Sequence, residues 1–384
     1  MSNELSQAEI LRYSRHLMIP EVGLEGQRKL KAAAVLVVGT GGLGSPVLLY
    51  LAAAGVGRIG VVDFDVVEDS NLQRQVIHGS GSIGQLKVES ARQRMLDINP
   101  FIQVDIYNEV FTSENAMALS GPYDILVDAS DNFPTRYLVN DVAVLTGKPD
   151  VYGSIFRFEG QASVFYAKRG PCYRCLFPEP PPPGMTPSCA EAGVFGVLPG
   201  TIGTLQATEV IKLILGAGEV MTGKLLLYDA LDSTFQIVNL RKNPHCKICS
   251  PQPEITRLID YEDFCGVPAN DHAEKPVPTE WEISPGEVAQ KLRSGAQIEL
   301  VDVREPVEQQ VSQLPGARLI PYGELASRLD ELDRQEDIVL FCRTGVRSGR
   351  ALQTLLAAGF RKVKNLRGGI NAWSDEVDPT VMKY

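Results

Sequence analysis

Four of the seven cysteines stand in two matched pairs, Cys172-x-x-Cys175 and Cys246-x-x-Cys249. Each short turn can present two thiolates to one ion, and four thiolates complete a closed tetrahedral site for structural zinc. A redox CxxC is the rival chemistry for either pair alone. The gap between the pairs is longer than in compact zinc modules, so spacing by itself is suggestive. A different chemistry belongs to Cys342, which opens Cys342-Arg343-Thr344-Gly345-Val346-Arg347 directly after the apolar run Ile338–Phe341. A thiol between a strand end and a helix N-terminus, with arginines close by, is favoured as the thiolate. Backbone N–H groups of such a loop can surround an anionic sulfur or a bound oxyanion. Four residues separate Cys342 from Arg347, one fewer than in the C-x5-R loop of tyrosine phosphatases. The tighter loop suits sulfur better than phosphate, and a phosphatase or an inactive regulatory loop is the alternative. Cys189 follows the proline-rich stretch 178–184 in a small-residue, turn-prone neighbourhood that suits a reactive thiol, although single cysteines are commonly inert. Cys265 has no role that the sequence assigns.

A third constellation is Gly39-Thr40-Gly41-Gly42-Leu43-Gly44, which fits G-x-G-x-x-G between a strand pattern and a helix pattern. Such a loop lets backbone N–H groups and a helix N-terminus approach phosphate closely. Asp63 falls at the end of the next strand pattern, where a carboxylate can hold ribose hydroxyls. The loop alone does not choose between NAD and ATP. Asp69 to Gln75 and Gly84 to Lys87 then supply polar and cationic groups. Reaction at a phosphoryl centre needs such cations and hydride transfer does not. For any one of these residues a solvated charged segment is the plain alternative.

These residues need elements to position them. Ala34–Val38, Ile59–Asp63 and Tyr123–Ala129 read as strands, the first a continuous apolar run of the kind buried on both faces. They alternate with helical stretches at Leu48–Ala54, Lys87–Ile98 and Thr135–Leu145, which favours an α/β fold with a largely parallel sheet. Val151–Phe156 and Gln161–Tyr166 read as a hairpin turned near Gly160, and Leu225–Tyr228 and Phe235–Leu240 as late antiparallel strands. A second α/β series runs through Val288–Leu292, Ile298–Val303, Glu324–Leu332, Ile338–Phe341 and Arg347–Ala358. The length of 384 residues suits two domains. We place them at 1–252 and 281–384, with a proline- and charge-rich linker at 253–280.

The hydrophobic fraction of 44% and charged fraction of 22% fit a globular chain with a sizeable core. The formal net charge of −10 argues against nucleic acid or an anionic membrane as a general partner. The polar start shows no secretory pattern, and Glu209 and Lys212 interrupt the most apolar helical stretch, Thr201–Leu215. A cytoplasmic location is therefore expected. His16, His78, His245 and His272 form no metal or catalytic spacing, and Trp281 and Trp373 read as packing residues.

The stretch from Arg12 to Ser250 resembles the MoeB/ThiF group of ubiquitin-activating-like (E1-like) adenylyltransferases, through RYSRHL, GTGGLGSP, DFDVVEDSNLQRQ, GQLKVES, DASDN, PCYRCLF and NPHCKICS in order. From about Trp281 onward, LVDVREPVE, LPGARLIP, CRTGVRS and LRGGINAW resemble a rhodanese domain. The combination is similar to MoeZ-type fusions and to the eukaryotic molybdopterin-synthase sulfurylases. The resemblance implies a Rossmann-like adenylation domain with a mixed sheet and structural zinc, plus a small α/β sulfurtransferase domain. It implies ATP and Mg²⁺, with the glycine loop and Asp63 on the nucleotide and Arg15, Arg74 and Lys87 on phosphates. Ser70 and Asn71 would position the nucleotide, and Asp131, with Asn132 beside it, would organise Mg²⁺. Arg74 would reach the site of a neighbouring subunit, which implies a homodimer. Cys342 would carry sulfane sulfur as a persulfide beside Arg347, while Asp302 and Arg304 play a structural part. Cys189 would bond to the activated carrier or cleave the persulfide.

The implied substrate is the C-terminal glycine of a β-grasp sulfur carrier ending in Gly-Gly. It would be adenylated and then converted to a thiocarboxylate for molybdopterin, with a cysteine desulfurase or thiosulfate as sulfur donor. Service to thiamine, cysteine or tRNA thiolation is the alternative within the family. An NAD-dependent oxidoreductase and a carrier-docking module with an inactive rhodanese are the alternatives outside it.

Overall fold

Five strands carry the first half of the chain: β1 (Ala34–Val38), β2 (Arg58–Val62), β3 (Gln103–Tyr107), β4 (Ile125–Asp128) and β5 (Asp150–Phe156). The structure is a computed structural model and describes residues 4–182, 193–266 and 277–384. Cys189 and His272 lie outside the described residues. The chain divides into two compact units, Met1–Asn270 and Asp271–Tyr384. In the first, the five strands run parallel in the order β3-β2-β1-β4-β5. Strand order reverses at β1, which lies between β2 and β4, and the crevice beyond the strand ends at such a point is where open α/β sheets bind ligands. Edge strand β3, whose only buried residue is Val104, lacks the apolar run that made β1 and β2 legible.

Antiparallel strands β6 (Glu159–Phe165), β7 (Lys224–Asp229) and β8 (Thr234–Asn239) complete an eight-stranded mixed sheet. The β5–β6 hairpin does not turn at Gly160. It turns at Arg157 and Phe158, with Arg157 at φ +52°. Gly160 lies inside β6, where a Cβ would come within 2.5 Å of Ile202 on the Leu198–Leu215 helix. That helix packs on β5, β6 and the Gly44–Ala54 helix. Its interrupting charges satisfy each other, with Lys212 Nζ 2.6 Å from Glu209 Oε1 and the Met221 N–H donating to Glu209 Oε2 at 2.8 Å. Among the described residues no helix is long and apolar enough to cross a membrane.

The segment expected as a linker begins with ordered packing. Tyr261–Cys265 is a short helix, and Tyr261 and Cys265 are buried in the first unit's core. Burial pushes the Cys265 thiol up to about 12, which fits an inert packing role. In the second unit, β9 (Glu282–Ile283), β10 (Ile298–Asp302), β11 (Arg318–Leu319), β12 (Asp337–Phe341) and β13 (Val363–Leu366) form a parallel sheet in the order β11-β10-β12-β13-β9. The helix expected over Glu324–Leu332 is instead two short turns, Tyr322–Leu325 and Leu329–Glu331. Leu325 and Leu332 are both buried this way, and Arg328 spans the break by pairing with Glu324 and Glu331. Trp373 is buried, and Trp281 packs against the second unit's core.

Candidate active sites

The glycine loop leaves β1 and turns into the Gly44–Ala54 helix. Gly39 has φ +100°, and a Cβ there would lie 2.7 Å from the Ala129 carbonyl oxygen. At Gly44 a Cβ would lie 2.0 Å from the Gly39 carbonyl oxygen, and at Gly42 it would press on Pro199 at 3.1 Å. Gly39 and Gly44 are therefore demanded by the protein's own packing, while a Cβ at Gly42 needs Pro199 to give by a few tenths of an ångström. Gly41 differs, since its nearest neighbour would be Gln75 Nε2 at an ordinary 3.7 Å. At that position the protein leaves room, and backbone approach to a ligand is what remains to favour glycine.

Asp63 follows β2 and faces this loop. Its Oδ2 accepts from the Thr40 N–H (2.8 Å) and hydroxyl (2.7 Å), and its Oδ1 accepts from the Asp65 N–H (3.0 Å). A carboxylate offers about four acceptor positions, so Asp63 first shapes the glycine loop and keeps about one position for a ligand. Lys87 begins the Lys87–Ile98 helix, is buried, and holds Asp65 Oδ2 at 2.8 Å. Arg74 is half-buried, donates to the Ser70 carbonyl, and has its Cγ 3.8 Å from where a Cβ on Gly42 would be. Its stem thus lies against its own chain's glycine loop. Ser70 is exposed. Asn71 is buried and spends its Oδ1 on the Glu68 N–H.

Asp131 is exposed on the loop after β4, whose Ala129 and Ser130 backbone abuts Gly39. Asn132 caps the Phe133–Thr146 helix, its Oδ1 accepting from the Thr135 N–H at 2.9 Å. Arg15 is exposed on the Ser14–Leu17 helix, and among the described residues no contact brings it to this cluster. Support for the acidic loop comes from residues that sequence reasoning missed. Asp128 is fully buried and its Oδ1 accepts from both the Ser130 N–H and hydroxyl, at 3.0 and 2.5 Å. Arg136 Nε lies 3.5 Å from Asp128 Oδ2, and its guanidinium stacks over Tyr152 at 5.2 Å. Burial raises both Asp128 and its neighbour Asp150 above the usual carboxylate range, Asp150 the more strongly because Asp128 is close. Beside Thr40 of the glycine loop, burial and then the Lys87 charge hold His78 down to about 4, so it is neutral at pH 7. Its Nδ1 is 2.9 Å from Ser90 Oγ. The DASDN string carried the only signal for this layer, since a buried acid looks like any other in sequence.

The two cysteine pairs meet. Cys172 Sγ is 3.5 Å from Cys246 Sγ and 3.8 Å from Cys175 Sγ, and Cys175 Sγ is 3.4 Å from Cys249 Sγ. All four sulfurs lie within 4.8 Å of one another. A tetrahedral ion at about 2.3 Å from each thiolate needs sulfurs about 3.8 Å apart, so the set fits one zinc. Arg174, between the first pair, makes a bidentate bond to buried Asp141 (2.8 Å twice), and Asp141 also accepts from Tyr261 at 2.8 Å.

In the second unit Cys342 follows β12. The N–H groups of Gly345 and Ser348 point at its Sγ, at 3.2 and 3.5 Å, with the Ser348 hydroxyl at 3.4 Å. The carbonyls of Cys342 and Arg343 face the other way and accept from Ile370 and Asn371 at the start of the Gly369–Glu376 helix. Donors on one side and carbonyls on the other make a nest for a sulfur anion. Arg347 was expected to add positive charge here, but it is engaged bidentately by Glu308 at 2.7 and 2.6 Å. Arg304 and Asp302 are fully buried and paired with each other.

A Rossmann-like sheet with a glycine loop, an acid–lysine pair, an acidic loop and four clustered thiols is the ATP-binding adenylation type of α/β fold. The chain belongs to the ThiF family, whose model matches residues 13–248, and it carries a rhodanese-like domain at 284–376. Within that family it is similar from end to end to enzymes that join adenylyl transfer to sulfur transfer, and it is an enzyme of both kinds. It is 50% identical over 389 residues to "Probable adenylyltransferase/sulfurtransferase MoeZ" of Mycobacterium tuberculosis, covering 100% of this chain and 97% of that one. It is 44% identical over 406 residues to "Adenylyltransferase and sulfurtransferase MOCS3" of Mus musculus, covering 99% and 88%. It is 55% identical over 267 residues to "Sulfur carrier protein adenylyltransferase" of Thermus thermophilus, which spans 68% of this chain and 98% of that one. Among solved structures, E. coli MccB with ATP shares the fold, with a TM-score of 0.55 and 24% identity over 62% of this chain and 74% of that one.

Proposed function

We propose that this protein adenylates the C-terminal glycine of a ubiquitin-like (β-grasp) sulfur carrier ending in Gly-Gly and then makes it a thiocarboxylate with sulfur carried on Cys342. Molybdopterin synthesis is the destination we favour. The observation that carries the reading is the presence, in one chain, of a glycine loop with Arg74 against it and the Lys87–Asp65 pair linked to it through Asp63, and of a thiol with backbone N–H groups aimed at its sulfur.

ATP would lie over β1, its phosphates facing the Gly39–Gly44 backbone and the N-terminus of the following helix. Asp63 would use its remaining acceptor on the ribose, and Ser70 and Asn71 would flank the nucleotide. Lys87, Arg74 and Arg15 would meet phosphate charge. Asp131, with Asn132 beside it, would hold Mg²⁺, which adds charge neutralisation. The carrier's own carboxylate is the nucleophile, so the enzyme positions and stabilises and needs no covalent side chain at this stage. A carboxylate oxygen bonds to the α-phosphorus as pyrophosphate leaves, giving an acyl-adenylate.

The Cys342 persulfide then attacks the acyl carbon, and AMP departs with the C–O electron pair. Cleavage of the resulting acyl-persulfide takes two electrons from a thiol, which ends in a disulfide with Cys342. Cys189 is the thiol that the family resemblance offers. A small-molecule or protein dithiol would reduce that disulfide, itself ending as a disulfide, and thiosulfate or a cysteine desulfurase would then reload the freed Cys342 thiolate. We read the protein as a cytoplasmic homodimer with the four-thiol cluster holding structural zinc.

ATP–pyrophosphate exchange should require a carrier ending in Gly-Gly, and the product carrier should have one oxygen replaced by sulfur on mass measurement. Exchange without any carrier, or with none of several Gly-Gly carriers, would refute the reading. Metal analysis should find one zinc per chain, lost in Cys246→Ser. A Cys172–Cys246 disulfide in the native protein would overturn the zinc assignment. The Thermus thermophilus relative is named for a sulfur carrier with no pathway. Service to thiamine, cysteine or tRNA thiolation is thus the second reading, decided by which Gly-Gly proteins co-purify.

A further inference from the structure

Tyr384 takes no part in the steps above, yet it touches the charges around Cys342 on three sides. Its hydroxyl donates to Glu308 Oε1 at 2.7 Å and accepts from Arg304 Nη1 at 2.8 Å. The Arg343 guanidinium lies 5.9 Å from its ring centroid, at the outer limit of a cation–π contact. Arg304 is a fixed donor, because Asp302 Oδ2 and the Ser312 carbonyl hold its other arm at 2.7 and 2.8 Å. Burial, and then the bond to Glu308, push the phenol up from its ordinary range. It therefore stays a protonated donor at neutral pH.

Charge accounting gives this geometry a purpose. Arg304 is balanced by Asp302, and Arg347 by Glu308. Arg343 directly follows Cys342 and makes no ion pair among the described residues. Among the described residues it is an uncompensated positive charge one residue along the chain from the thiol, and the oxygens of Glu308 are already committed to Arg347 and Tyr384.

We propose that Tyr384 is a positioning residue for anionic sulfur donors: its ring shelves Arg343 beside Cys342, and its hydroxyl keeps Glu308 on Arg347. The proposal rests on the reading of Cys342 as the sulfur acceptor. Its substrate class is a small sulfane-sulfur anion of the thiosulfate type. Transfer breaks the S–S bond of thiosulfate, forms the Cys342 persulfide and releases sulfite, and a positive charge near the sulfonate oxygens throughout assists binding.

The test uses the full chain with Tyr384→Ala and Tyr384→Phe. In thiosulfate:cyanide sulfur transfer, Tyr384→Ala should raise KM about fivefold with kcat within about twofold, the size of one partly exposed cation–π contact. Tyr384→Phe keeps the ring and should raise KM about threefold. The rate ratio of Cys342 alkylation by iodoacetate over iodoacetamide, which reads the positive field at the sulfur, should fall in Tyr384→Ala. Unchanged KM in both variants, a fall in kcat alone, or an unchanged alkylation ratio would each overturn the proposal. If wild-type protein alkylates at Cys342 but forms no persulfide, the Cys342 reading fails instead, and the alkylation ratio still decides on Tyr384.

Discussion

Cys342→Ala should abolish sulfur transfer from thiosulfate and thiocarboxylate formation, while carrier-dependent ATP–pyrophosphate exchange stays within about twofold of wild type. The sulfur of Cys342 is the acceptor of three converging donors, the Gly345 and Ser348 N–H groups and the Ser348 hydroxyl. A methyl group there leaves no atom to accept sulfane sulfur. The glycine loop, Asp63, Lys87 and Asp131 all belong to the other compact unit, so the loss should not spread to adenylation. Cysteine to alanine removes little volume in a well-packed site, which keeps the folding penalty small. Loss of both activities would show that the two chemistries are not separable as assigned. Retained sulfur transfer would remove Cys342 from the mechanism.

The reciprocal result is expected for Lys87→Met. ATP–pyrophosphate exchange should fall by about 10²–10³, the usual cost of losing one preorganised charge from a transition state. Thiosulfate sulfur transfer should be unchanged. Lys87 is buried and its Nζ is held at 2.8 Å by Asp65, so its ammonium is positioned before substrate arrives. Methionine keeps the chain length and loses the charge. Asp65 is left without its partner, and truncating one member of a part-buried pair can destabilise. Lys87→Arg with partial recovery of exchange would separate charge from packing. Exchange at the wild-type rate in Lys87→Met would exclude Lys87 from phosphate stabilisation.

Much of this architecture was legible because the chain pairs strong local patterns with strong motifs. The β1 run Ala34–Val38 is continuous and apolar because it is buried on both faces, and the Lys87–Ile98 helix has the residue range its pattern predicts. The four-thiol cluster was legible because CxxC turns are local, while the long gap between the pairs is closed by tertiary packing that no spacing displays. Elements that gain order only from context escaped. Strand β3 is a half-exposed edge, and Gly160, whose residue type suggests a turn, instead serves close helix packing. The same limit hid the second layer of each site. That Asp63 would be occupied by Thr40, or Arg347 by Glu308, depends on contacts between residues 23 and 39 positions apart. Cys189 lies outside the described residues, and its part rests on resemblance alone.

The packing of the glycine loop bears on how any mutational scan of this enzyme should be interpreted. Gly39 and Gly44 are closed by Ala129 and the loop's own carbonyl, and Gly42 is crowded by Pro199, so a side chain at any of them presses on the scaffold before a nucleotide is present. At Gly44 the collision is with backbone at 2.0 Å and cannot be relieved by a rotamer change. Inactive variants at these three positions would be scored as binding defects while reporting on architecture. Gly41 is the informative site, where added bulk meets little of the protein and lost affinity can be credited to the ligand.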